Sequence, residues 1–325
     1  MEHERLSVLK TKTRRASTSS NKPTTEQQYK CNDVAQLLKL RKQGNSSLVI
    51  SLSPTDDKGQ IALALALRAS TSIRLSNIPP TKYASREELA SDVEELCSEV
   101  SRIVKQDPET SMPLAICLVK LRSMLRGVTA DAPEHHDVVL RACEQLLLLP
   151  ELYAPDYEHH VVEFLKDSAY YHGDRLQTVA PVVLKHSINH LQTNPEFQKN
   201  YESAIIMFAL KATNPQAISS ILKILSLNYI NRSLPAELLF ILNKVLLILC
   251  VGKDNFLINN HHLQISQILR SGLQHQNKHV RQEMQFIYWK YQSISAPQAD
   301  SLHKTLPSSC RHELEVSVAP FTISI

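Results

Sequence analysis

From Thr110 onward the chain is interrupted at nearly even intervals, and this spacing limits the fold more than any other feature. Breaks fall at 127–132, 150–155, 173–174, 193–195, 213–215, 233–235, 252–254 and 272–277. Between them run apolar patterns of helical period, with starts near 111, 132, 156, 174, 194, 214, 234, 258 and 277. A step of about 20 residues per helix, or about 40 per antiparallel pair, is the signature of HEAT- or armadillo-like stacking. Asn194-Pro195-Glu196 and Asn214-Pro215-Gln216 repeat one device, a capping Asn followed by Pro in the first turn. No residue-level consensus recurs, so the period describes packing alone. The most apolar segments, 218–230 and 238–251, belong at the centre. Pro181 falls inside an expected helix and predicts a kink. Only 6 of the 325 residues are Gly, too few for a fold built on tight strand turns.

Upstream of the array lies Lys58 to Arg68, KGQIALALALR. Read as a helix, it pairs Ile61 with Leu65 and Leu63 with Leu67, with Ala62, Ala64 and Ala66 between. Read as a strand, it puts all four large residues on one face. Ala and Leu favour the helix, and Ser53-Pro54-Thr55-Asp56 reads as its capped start; Gly59 counts against it by roughly 1 kcal/mol. A helix apolar nearly all round needs partners on several sides. Two readings stand: a buried core helix, or a docking helix for another protein. Ser85-Arg86-Glu87-Glu88 is a capping box that opens a second helix to about Gln106. Its apolar stripe is Leu89, Val93, Leu96, Val100 and Ile103, and its other face is acidic.

The net charge of +4 is uneven. Residues 1–44 carry ten Lys and Arg against four Asp and Glu, which leaves the remainder slightly acidic. Residues 1–30 hold too little apolar surface to fold alone. Lys10, Lys12, Arg14 and Arg15 are candidate contacts to DNA phosphates, as are Arg270, Lys278, Arg281 and Lys290 in the last helices of the array. Lys120, Arg122 and Arg126 form a further basic group, and a solvated face is the plainer reading of both. Ser17, after Arg14-Arg15-Ala16, is a candidate phosphosite. A short helix is expected over 33–43, and residues 47–53 are extended or loop.

Catalytic patterns do not appear. There is no phosphate-binding glycine loop and no GxSxG. The six cysteines are scattered without a CxxC, as for buried free thiols. Among fourteen histidines, His186 and His190 have the helical i,i+4 spacing of a zinc pair, without an acid nearby in sequence. No metal, cofactor or small-molecule substrate is expected. The longest uncharged apolar run, Val245–Val251, is too short to span a bilayer, and the first thirty residues lack a signal-peptide core.

Lys58 followed by LALALR and Ser70 resembles the opening motif of the meiotic double-strand-break formation protein four family. The order continues with Ser85-Arg86-Glu87, a charged helix, and an aromatic run, Phe286-Ile287-Tyr288-Trp289, before the Ser/Ala-rich 293–299. About thirty positions carry the resemblance. Here the motif lies some fifty residues in, and the Trp that precedes it in the family is missing. The resemblance implies a non-enzymatic nuclear subunit on meiotic chromosome axes that associates with DNA. Its partner would be a small dimerising protein with a pleckstrin-like domain, docked by Ile61, Leu63, Leu65, Leu67 and Arg68.

The chain is therefore expected to be all-α. Residues 1–45 form a basic, largely disordered tail, 46–107 the apolar docking helix and the charged helix, 108–296 the HEAT-like array, and 297–325 a weakly ordered tail with an extended edge near Glu315–Val318. The expected function is a scaffold for meiotic break formation. A generic helical-repeat adaptor in a cytosolic or nuclear complex is the alternative, and an α-helical enzyme comes third.

Overall fold

The computed structural model describes residues 27–30, 48–72, 78–106, 111–128, 133–193, 198–230, 234–253, 255–316 and 320–324. Among these residues the protein is all-α, with one small three-stranded sheet. The helix expected over 33–43 lies outside the described residues.

After strands β1 (Gln27–Lys30) and β2 (Leu48–Leu52) come helices α1 (Lys58–Ser72), α2 (Arg86–Gln106), α3 (Ser111–Gly127) and α4 (Pro133–Leu147). Two single 3-10 turns, Pro150–Tyr153 and Pro155–Tyr157, lead to α5 (Glu158–His172), α6 (Ala180–Thr193), α7 (Gln198–Lys211), α8 (Pro215–Ile230) and α9 (Ala236–Gly252). The short α10 (Asn255–Asn260) precedes α11 (His262–Leu273), α12 (Lys278–Gln292), α13 (Ala296–Thr305), α14 (Ser308–Val316) and β3 (Phe321–Ser324).

Helices pack on the next but one, which makes two layers. One layer runs α2, α4, α6, α8, α11, α13, with the Pro150–Tyr153 turn bridging α4 and α6. The other runs α3, α5, α7, α9, α12. Side chains from both layers fill one continuous core. The central α9 has almost no polar face because α7, α8, α12 and α1 surround it.

Local signals placed most starts. Ser85 Oγ accepts from the Glu88 N–H at 3.1 Å, the cap expected for α2. Asn214 Oδ1 accepts from the Gln216 N–H at 2.8 Å and opens α8. Pro181 produces no kink: α6 starts at Ala180, so the ring sits in the first turn, where its missing N–H costs nothing. α1 starts later than expected. Ser53–Asp56 closes a turn of its own, and the Asp57 carboxylate takes the Gly59 N–H at 2.8 Å. A Cβ on Gly59 would stand 3.0 Å from that carboxylate oxygen, so the residue that weakened the helix reading belongs to its cap.

Two expected boundaries are corrected. Residues 46–107 do not stand apart from the array, because α1 packs on α7 and α9 and α2 packs on α3 and α4. Nor does the pattern decay after 296: α13 packs on α11 and α12, and the extended edge forms at Phe321–Ser324 while Glu315 and Val316 end α14. β3 lies antiparallel to β2, Leu52 opposite Phe321 and Val49 opposite Ser324, and β1 pairs parallel on the other side. Phe321 rests on Phe286 of α12, ring centroids 5.4 Å apart.

Candidate interaction surface

α1 lies across α7 and α9 as a third layer, with β3 on another side. Ile61, Ala64, Leu65, Leu67 and Ala69 are buried, whereas Leu63 is 48% exposed. Arg68 points to Glu202 of α7 at 3.6 Å. The docking role expected for Ile61, Leu65, Leu67 and Arg68 is therefore corrected. Their surface is taken by the chain's own helices, and burial of each large side chain stabilises the fold by roughly 1.5–3 kcal/mol. Leu63 alone of that set faces outward.

A buried polar belt runs beneath α1. Lys244 of α9 reaches Glu202 at 2.7 Å. Burial alone would raise the Glu202 carboxyl; Lys244 and Arg68 outweigh it and hold it below its usual value. Asn243 receives the Tyr229 hydroxyl and donates to Glu283 of α12 at 2.6 Å. Burial pushes the Glu283 carboxyl up to about 7, against the Asn243 hydrogen bond and Lys244.

The basic candidates separate. Lys10, Lys12, Arg14, Arg15 and Ser17 lie outside the described residues. Lys290 is buried, donates to the Asp56 carbonyl, and is lowered by burial, so it cannot meet a phosphate. Arg281 pairs with Glu313 at 3.2 Å and donates to the carbonyls of His275 and Gln276. Arg270 donates to Thr305 Oγ1 at 2.8 Å but stays exposed, as does Lys278. Arg122 and Arg126 are also corrected from a surface patch to a core clamp. Both hold the buried Asp167 of α5, at 2.7 and 2.9 Å, and Arg122 also reaches Glu163.

His186 and His190 do not form a pair. His186 stacks on Tyr153, and His190 meets Glu158 of α5 at 3.2 Å, an acid that sequence spacing could not supply. Among the described residues no cluster of three or more His, Cys, Asp or Glu side chains is placed to hold a metal ion. Burial pushes Cys97 up to about 11 and Cys250 up to about 12, the opposite of what a nucleophilic thiol needs. No described helix is long and apolar enough to cross a membrane.

An apolar surface on α3 was not read from sequence. α3 is the first helix of its layer, with α5 on one side only. Met112, Ile116 and Val119 recur along it at steps of four and three and are 71%, 53% and 41% exposed. The last turns of that face are covered by an extended strap, residues 78–83. The Thr81 N–H donates to the Ser123 carbonyl, Ser123 Oγ to the Pro79 carbonyl, and Arg126 to the Ile78 carbonyl at 2.7 Å. The strap passes so close to Gly127 that a Cβ there would stand 1.8 Å from the Thr81 carbonyl oxygen. Between strap, α2 and α3 opens a cleft of about 500 Å³, lined by Tyr83, Asp92, Glu95, Leu96, Val119 and Lys120 among others. Glu88, Asp92, Glu95 and Glu99 follow one another at steps of four, three and four along α2. Thus an acidic stripe runs beside the apolar one. No protein-family model matches the chain, and no curated protein sequence matches it.

Proposed function

We propose that the protein is a non-enzymatic scaffold that binds another protein on the α2–α3 end of its helical array. The exposed Met112, Ile116 and Val119 carry this reading: an apolar stripe on the open end of a stack is a surface that association buries. The raised cysteines and the absence of catalytic sequence patterns support a binding role.

The finer reading places this scaffold in meiotic double-strand-break formation, in the nucleus, on chromosome axes. It rests on the ordered resemblance of Lys58–Arg68, Ser85–Glu87 and Phe286–Trp289 to the meiotic family. Its partner is then the small dimerising break factor, and DNA contact falls to the exposed Arg270 and Lys278 and to the basic residues before 27. The burial of α1 favours the second reading, an adaptor of another multiprotein complex, because it moves the partner contact from α1 to α3.

Immunostaining of germ cells in meiotic prophase separates the two. Foci along chromosome axes are expected, and a signal confined to cytoplasm removes the meiotic reading. Capture from germ-cell extract with the full chain and with Ile116→Asp/Val119→Asp tests the surface. The partner should be lost with the variant while thermal unfolding is unchanged.

A further inference from the structure

We propose that the cleft between α11 and α13 binds a phosphorylated serine or threonine on a partner peptide, with Arg270, Ser266 and Ser301 as donors to its phosphate. The site stands apart from the α3 surface, towards the other end of the array, and gives Arg270 a narrower ligand than a DNA backbone.

The cleft holds about 320 Å³ between two helices that pack side by side. Ser266 and Arg270 of α11 face Gln298, Ser301 and Thr305 of α13 across it. Its ionisable residues are Arg270 and His262, and no Asp or Glu lines it. This sets Arg270 apart from Arg102 and Arg281, which are paired with Glu99 and Glu313. Ser266 and Arg270 stand one turn apart on α11, as do Ser301 and Thr305 on α13. Because Cα–Cβ bonds tilt towards the helix N-terminus, Arg270 leans back over Ser266. Thr305 Oγ1 donates to the Leu302 carbonyl at 2.7 Å and accepts from Arg270 Nη2 at 2.8 Å. Thr305 thereby holds the guanidinium across the cleft, and Nε and Nη1 serve the ligand. The buried Tyr291 hydroxyl adjoins Ser266 from the core side. At the other end of the cleft Ser295 Oγ donates to Gln298 Oε1 at 2.6 Å, which leaves the Gln298 amide N–H groups for a peptide carbonyl.

The count of charges selects the ligand. Non-specific DNA binding takes a row of cations that neutralises several phosphates. One guanidinium flanked by two hydroxyls instead matches a single phosphate with three free oxygens. Phosphoserine and phosphothreonine present that group, with a charge of roughly −1.5 to −2. The walls are apolar where the neighbouring side chains of a peptide would lie. Leu263 is 71% exposed at the cleft, Pro297 lines it, and Leu302 is buried beneath. A bare inorganic phosphate makes no use of those walls.

The test uses the full chain and two fluorescein-labelled nonapeptide pools with the same randomised flanks, one centred on phosphoserine and one on serine. By fluorescence anisotropy the phosphorylated pool should bind about tenfold more tightly or better. Arg270→Met should remove that preference, Arg270→Lys should keep part of it, and Ser266→Ala/Ser301→Ala should reduce it about three- to tenfold. Arg270 and Ser301 are exposed, so thermal unfolding should be unchanged in the Arg270 variants and nearly so in the double variant. Ile116→Asp/Val119→Asp should bind the pool as the native chain does, which separates this site from the α3 surface. Equal binding of the two pools, or binding of neither, overturns the inference, and so does a preference that survives Arg270→Met. Displacement of the pool by a short DNA duplex, with Lys278→Ala weakening binding as much as Arg270→Met, overturns it in favour of a nucleic-acid backbone.

Discussion

Leu63 and Leu65 sit two residues apart in the same LALAL run and have opposite fates, one half exposed and one buried. Leu65→Asp places a carboxylate in a dry contact with α7 and α9 and should lower stability by about 3 kcal/mol or more. Leu63→Asp should change it by less than about 0.5 kcal/mol. Denaturant unfolding of the two variants measures both. Glu283 sets a pH dependence. Its carboxyl is raised in the folded state to about 7, so between its ordinary value of 4.5 and 7 the folded chain binds more protons than the unfolded one. Stability therefore falls as pH rises through that window, by on the order of 1–3 kcal/mol. Glu283→Gln keeps an acceptor for Asn243 and should flatten the slope, which unfolding midpoints from about pH 5 to 8 would show. Asp167→Ala removes the carboxylate shared by two buried guanidinium groups and should cost about 3 kcal/mol in the same assay.

At the scale of elements, several helix starts were legible because their breaks carry their own chemistry. Asn214-Pro215 and Ser85 with Glu88 name their caps without tertiary help. Burial of α1 stood in the sequence as one of two open readings; two further features were not legible, for one physical reason. The use of Arg122 and Arg126 as a core clamp and the pairing of Glu158 with His190 both join residues far apart in sequence. Periodicity reports which face of a helix is apolar, not what covers it. The α3 stripe was missed for the converse reason: its Met, Ile and Val look like core until the layer ends beside them. The strap over α3 depends on Gly127. Gly127→Ala should push Thr81 away, cost about 1–3 kcal/mol and raise amide exchange across residues 78–83, while Gly252→Ala, where nothing lies near the added Cβ, should not.

At the scale of the whole molecule, the two layers are a chain of near-neighbour contacts, and such stacks unravel from their ends. α1 works against this because it spans α7 and α9 and is held near α12 by Lys290 and Asp56. The small sheet adds a second tie between the first and last described segments. Weakening α1, as in Leu65→Asp, should therefore broaden the unfolding transition as well as lower it. The β2–β3 register has a consequence for biosynthesis. The ribosome delivers α1 well before α7 and α9, and at about 5–20 residues per second the helix waits on the order of ten to forty seconds for its seat. β2 waits longer, for β3 to emerge. Nascent chains of this protein should bind chaperones that shield greasy segments until Phe321–Ser324 has emerged.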